Sequence, residues 1–385
     1  MTLGFYAPLP PLASGVADYA ACMRNALLPL GAVRVNSPGQ VNLYHIGNHR
    51  LHAEIYRQAL REPGVALLHD ALLHHLLLGM LDEDGYLQEF TANYGVWTED
   101  LARRLWKGRA GAMSDPLYFR YPLLKRLATT SLGVVVHHAA AREAVLAHHP
   151  EARVLQIPHL NLEDPARRPS AEQRAWFRRE QLGVQDSEFL MGVYGHLRET
   201  KRLASVLAAL DVLRQRGLPA RLLVAGAFAS DDYERALRPV LAAHPAVVLR
   251  GATEEAEFRL LLASADVCVN LRYPAVGESS GIGVRAMALG VPLVVSEGME
   301  EECGPPGVVA PVCRGPAEVH SLAETLIWLA KDAGAREGLA LAARQHCLET
   351  RDPARVCQTL WTFLQEVAAE RIPSAPPPDA ASPMA

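Results

Sequence analysis

What the chain lacks narrows it first. No apolar run approaches the roughly 18 residues that a bilayer-spanning helix needs. The six cysteines, at positions 22, 268, 303, 313, 347 and 357, show no CxxC spacing, which argues against both a zinc site and a disulfide framework. The loop after the first apolar stretch carries no GxGxxG fingerprint, so a nicotinamide dinucleotide is disfavoured. A net charge of −4 exerts no global pull toward nucleic acid. The opening Leu3-Gly-Phe-Tyr6 reads as a strand and has neither the charged flank nor the long apolar core of a signal peptide. The resulting expectation is a cytoplasmic protein.

What is present is a core-forming α/β chain. Half of the 385 residues are hydrophobic and 21% are charged, enough for two ordinary domains. Short β-branched strands alternate with helical stretches throughout, the pattern of parallel α/β layers. In the first half, strands are expected at 3–6, 41–45, 65–68, 133–136 and 154–157. In the second half they are expected at 189–194, 221–225, 247–249, 265–270 and 292–295. Residues 82–119 read as a helical insertion after the third strand, its aromatics at core spacing. The prolines of 158–169 mark a linker. These signals divide the chain into a domain over 1–165, a second over 170–350, an amphipathic helix over 353–370 and a disordered tail over 373–385. Two doubly wound domains leave a cleft between their strand ends, where such folds bind ligands.

Four constellations fall at that cleft. The stretch Gly277-Glu-Ser-Ser-Gly-Ile-Gly283 opens a helix whose free amides and dipole suit a phosphate. The hydroxyls of Ser279 and Ser280 and the glycine Gly281 open that helix, while Glu278 suits a hydroxyl-rich group attached to the phosphate. The loop Gly195-His-Leu-Arg-Glu-Thr-Lys201 carries His196, Arg198 and Lys201, cations fitting a diphosphate. Ser14-Gly15 starts the first helix, Ser14 as N-cap and Gly15 admitting close approach of a ligand. His69-Asp70 ends a buried strand, where an imidazole can take or orient a proton; the alternative is a capping pair. The adjacent pairs His74/His75, His137/His138 and His148/His149 read as surface or packing residues, and His159 as a residue able to line the cleft.

These residues resemble the retaining, nucleotide-sugar-dependent glycosyltransferases of family 4, which have the GT-B fold of two Rossmann-like domains facing a central cleft. The resemblance spans about residues 1–370. It is carried by Pro10–Tyr19, by Gly195–Lys201 against a G-R-L-x-x-x-K loop, and by Glu278–Gly290 against E-G-F-G-x-x-x-x-E-A-M-A-x-G, with Ala286-Met-Ala-Leu-Gly290 the most specific piece. It implies metal-independent transfer of a sugar from a nucleotide-diphospho-sugar, with retention and no cofactor, to a sugar, glycan or lipid-linked acceptor. It gives His69 a place near the reacting centre, Lys201 the donor diphosphate and Glu278 the donor sugar. It also implies a last helix that crosses back to the first domain, membrane contact at most peripheral and no nucleic acid. The chain departs from the pattern twice: His196 stands where the family has arginine, and Arg285 where it has a second glutamate near the ribose. A catalytically degenerate GT-B binding module and a nucleotide-sugar epimerase are the alternatives.

Overall fold

The computed structural model describes residues 1–370 except Ala13, Ser114, Val276 and 300–302. The expected tail over 373–385 lies outside the described residues. Two parallel six-stranded sheets form the frame. The first holds β1 (Thr2–Tyr6), β2 (Ala32–Val35), β3 (Val41–Ile46), β4 (Val65–Leu68), β5 (Gly133–Val136) and β6 (Val154–Gln156), in the order β2-β1-β3-β4-β5-β6. The second holds β7 (Phe189–Tyr194), β8 (Ala220–Ala225), β9 (Val247–Arg250), β10 (Val267–Asn270), β11 (Leu293–Ser296) and β12 (Ala310–Val312), in the order β12-β11-β10-β7-β8-β9. The fold is therefore α/β and GT-B, as the sequence led us to expect.

Two edge strands escape the sequence reading for physical reasons. β2 alternates exposed and half-buried residues and has no continuous apolar run. β12 contains Pro311, which an edge strand tolerates and a central strand does not. With β2 counted, the insertion follows the fourth strand, not the third. It is several elements rather than one: helices Glu83–Tyr94 and Glu99–Gly108, then short 3-10 turns. Tyr86 and Phe90 are fully buried in the first domain's core. No helix among the described residues is long and apolar enough to cross a membrane.

Strand order fixes where a ligand can sit. In each sheet the chain runs outward from one central pair, and the crevice at the carboxyl ends of that pair is the switch point. In the second sheet the pair is β7 and β10, in register through Val267↔Met191 and Cys268↔Gly192. In the first sheet it is β1 and β3.

The last helix, Pro353–Glu370, ends the chain's path through the second domain by docking on the first. Its buried face of Val356, Leu360, Trp361, Phe363, Leu364 and Val367 joins the core containing Leu3, Phe5, Met23 and Leu27. A Cβ on Gly31 would stand 2.5 Å from Trp361, so the glycine makes room for the indole. Arg153, whose guanidinium lies over the Phe363 ring, reaches Glu366 at 2.7 Å and Glu370 at 2.6 Å. Trp361→Ala should therefore lower the free energy of unfolding by about 3–5 kcal/mol, read in urea. An unchanged midpoint would show that this helix does not hold the first domain together.

Candidate active site

The second domain supplies charge at the β7/β10 switch point. After β7 the chain turns at Gly195, whose φ of +86 favours glycine, and forms a short 3-10 turn over Glu199–Lys201. Lys201 is 4% exposed, and its ammonium donates to the Tyr194 carbonyl at 2.6 Å. Burial, then the charges on Arg272 and Arg198, push its pKa well below the usual lysine value. Asn270 ends β10 and Arg272 follows it, both buried. Glu278 is the carboxylate among these cations: its Oε1 lies 3.3 Å from Arg272 Nε and 3.6 Å from Arg198 Nη2.

Helix Gly281–Leu289 starts beside them. Ser280 is its N-cap, accepting from Gly283 N at 3.2 Å and from Asn270 Nδ2 at 2.9 Å. The hydroxyls of Ser279 and Thr200 are sealed from solvent without a hydrogen-bond partner. Such unmet groups are uncommon in a folded interior and mark this corner as unusual. His196 is the most exposed member of the loop, and burial together with Arg198, Lys201 and His49 of the first domain lowers its pKa.

The first domain faces this charge with imidazoles and one carboxyl group. His45 and the His69-Asp70 pair stand at the ends of β3 and β4, His137-His138 follows β5, and His159 follows β6. Asp70 is not a helix cap; its Oδ2 accepts from Asn48 N at 2.6 Å. Burial and the Glu278 charge raise its pKa to about 6, against the opposing pull of the Asn48 amide and Arg198. His69 is paired with His45 and lies edge-on to Tyr19. His159 lies 3.8 Å from the position a Gly281 Cβ would take, which brings the two domains together at the helix start. His138 goes beyond its surface-or-packing reading: its Nε2 meets the Gly277 carbonyl across the cleft at 3.1 Å. The other interdomain contacts here are an antiparallel bridge between Asp70 and Glu278 and Ala71 N donating to Gly277 O at 3.2 Å.

Two other expected residues sit apart from the Glu278 cluster. Gly15 is exposed, with nothing within 4 Å of a Cβ position. Arg285 is tied to Glu163 of the linker and to Glu255, in a network that Arg259 completes through Glu163 at 2.6 Å and Glu255 at 2.7 Å. Asp18, one turn beyond Gly15, feels the charges of Glu255 and Arg285, so the first helix starts near this network. Sequence reasoning missed Arg272, although its place directly after the buried β10 was a usable signal. It also missed His45 and Glu163, whose partners lie 24 and 96 or more residues away.

Between the domains lies a pocket of about 320 Å³. Leu72, Phe119, Pro122, Ala140 and Met299 line it, with Glu278 at one side. This largely apolar wall, with Glu278, His138 and Arg314 as its polar side chains, suits a small organic molecule that carries hydroxyls.

Residues 188–332 match the family model described as "Glycosyl transferases group 1". A search of curated proteins gives no match. Among solved structures, HepE from Anabaena in complex with UDP and glucose is similar over 95% of this chain and 100% of its own, at 17% identity and a TM-score of 0.65. Sucrose-phosphate synthase from Thermosynechococcus elongatus is similar over 96% and 100%, at 14% identity and 0.69. The catalytic domain of starch synthase IV from Arabidopsis thaliana, bound to ADP and acarbose, is similar over 96% and 99%, at 13% identity and 0.59. Together, the matched domain and the shared fold support a GT-B glycosyltransferase.

The buried lysine yields a pH prediction. A diphosphate beside Lys201 raises that group's pKa above its position in the free protein. Binding of inorganic pyrophosphate at a pH between the free and bound values should therefore take up protons, and affinity should fall as pH rises across that interval. Calorimetry in buffers of different ionisation heat measures the uptake. It should shrink in Lys201→Met, and uptake equal to that of the unaltered protein would place the lysine outside the anion site.

Proposed function

We propose that this protein transfers a sugar from a nucleotide-diphospho-sugar to a hydroxyl acceptor, with retained anomeric configuration and without a metal. The observation that carries the reading is the trio Lys201, Arg198 and Arg272 around one carboxylate, Glu278, at the switch point of the second sheet. Two guanidinium groups against one carboxylate, with a lysine beside them that a dianion would hold protonated, leave positive charge where a leaving diphosphate would gather negative charge, so its departure would be stabilised by groups already in place. The amides opening helix Gly281–Leu289 and the Ser279 hydroxyl add donors on the same side.

A diphosphate taking up Arg198 and Arg272 frees Glu278 to accept from the donor sugar's hydroxyls. His69 contacts the same sugar from the first domain. The pocket beside Glu278 receives the acceptor, with Phe119 as the insertion's contribution. Where the resembled family has its second glutamate, Arg285 instead holds the half-exposed Glu255, and we assign the ribose contact to Glu255. Interdomain closure at 70–71 and 277–278 excludes water and so limits hydrolysis of the donor. A cytoplasmic location and the absence of a cofactor belong to the same reading.

Turnover of a panel of nucleotide-sugars, with EDTA present, tests it. Lys201→Ala and Glu278→Ala should each lower kcat/KM by about a hundredfold or more; full activity in either removes that assignment. Nucleotide binding without transfer to any acceptor would favour a binding module, and donor interconversion without an acceptor would favour an epimerase. Ala140→Trp, which fills the pocket from an exposed helix position, should abolish transfer while leaving nucleotide affinity within about twofold. Weakened nucleotide binding would instead put the donor in that pocket.

A further inference from the structure

Beneath the cleft the first domain buries an unusual concentration of imidazoles. His45, His69, His137 and His159 all surround the Tyr19 ring, at centroid distances of 6.2, 5.0, 5.3 and 4.7 Å. Among the described residues no group of three or more His, Cys, Asp or Glu side chains is placed to hold a metal ion. The cluster is therefore read as a hydrogen-bonding assembly, and its connected part is the pair His45–His69.

His45 Nδ1 lies 3.0 Å from His69 Nε2, with the rings stacked at 30°. One of these nitrogens donates and the other accepts. The choice follows from the far nitrogen of His45. Its Nε2 is sealed from solvent without a partner, and Tyr19 Oη is likewise unpartnered, so it does not serve that nitrogen. If His69 donated, His45 would carry its proton on Nε2, leaving a dry, unpaired N–H. If His45 donates, only a bare lone pair is left dry. Orphaned buried N–H groups are the rarer outcome in folded proteins.

We infer that His45 is a positioning residue that fixes His69 as the Nδ1–H tautomer, so that His69 serves the cleft as a hydrogen-bond donor and not as a base. With Nε2 occupied by His45, Nδ1 is the only ring nitrogen left to meet a substrate. It has no partner among the described residues and is not one of the sealed polar atoms. A proton taken at Nδ1 has nowhere to go, since a relay through His45 ends at the sealed Nε2. Burial lowers the pKa of both rings, that of His45 to about 3, which keeps the pair neutral. A base in His69 is thereby disfavoured twice. A donated hydrogen bond to a substrate oxygen, from a ring that cannot rotate without breaking its bond to His45, is what remains. A neighbour that sets a histidine tautomer can govern turnover without touching substrate.

The inference rests on the sugar-transfer reading only for its activity arm. In the first experiment the unaltered protein is labelled with 15N-histidine, and the His69 signals are assigned by their loss in His69→Gln. Protonated and bare imidazole nitrogens resonate far apart, so the spectrum reports the tautomer whether or not a sugar is ever transferred. A proton on Nδ1 across pH 6–8 is expected; a proton on Nε2, or on both nitrogens, overturns the inference. In the second, His45→Leu should lower kcat about tenfold or more with little change in acceptor KM, while His45→Asn, whose amide can donate from near the same place, should restore most of it. Equal kcat in the folded Leu and Asn variants would overturn the positioning role, and the spectrum of the unaltered protein decides the tautomer even where a variant fails to fold.

Discussion

Glu278 is the residue on which both halves of the cleft depend. Its backbone bridges to Asp70 of the first domain, and its carboxylate reaches the guanidinium groups of Arg198 and Arg272. At an effective dielectric near 20, two unit charges 4 Å apart interact by about 4 kcal/mol, so one carboxylate offsets much of the repulsion among its cations but not all of it. Lys201 shows the remainder: without a carboxylate hydrogen bond of its own, it leans on the Tyr194 carbonyl and its pKa falls. The corner is thus short of negative charge. A dianionic ligand meets that shortage, and by competing for the arginines releases Glu278 for hydroxyl groups. In the proposed function, one substitution of charges would serve both the phosphate and the sugar ends of a donor.

The two domains divide the chemistry by polarity. The second carries fixed positive charge at the ends of β7 and β10. The first presents imidazoles that burial keeps neutral, and in Asp70 a carboxyl group pushed up to about 6. A cationic wall facing a hydrogen-bonding wall of neutral imidazoles and one carboxyl group suits a ligand charged at one end and hydroxylated at the other. The topology produces this arrangement, because each sheet sends its central loops to the same side and only the loop sequences differ.

Local pattern carried most of the fold. β7 and the apolar core strands of both sheets were legible as continuous runs, and helix Gly281–Leu289 announced itself through its serine cap and the αL glycine at position 290. The Lys201 loop was legible because its basic residues follow a strand end. Pairings between distant segments were not. Arg285 looks like a cleft residue in the sequence, yet it is satisfied by Glu163 and Glu255. Nothing local couples position 163 of a proline-rich linker to position 285 of a helix. His45 and His138 were silent for the same reason: adjacent or isolated histidines have no periodicity, and their roles come from what tertiary packing brings within 3 Å or so.

The contacts that close the cleft converge on two residues. The Gly277 carbonyl accepts from Ala71 N and meets His138 Nε2, and Glu278 makes the bridge to Asp70. Gly277 can sit this close because it has no side chain: its φ is +66, and a Cβ there would meet the Ala71 Cβ at 2.8 Å. The loop that holds the domains together is therefore the same loop that presents Glu278 and the start of the anion-seeking helix. Opening the cleft must break hydrogen bonds made by the residue next to Glu278, and a ligand that reorders this loop must act on those same bonds. Domain motion and occupancy of the site are coupled through Gly277 and Glu278 by covalent adjacency, without any longer path through the core.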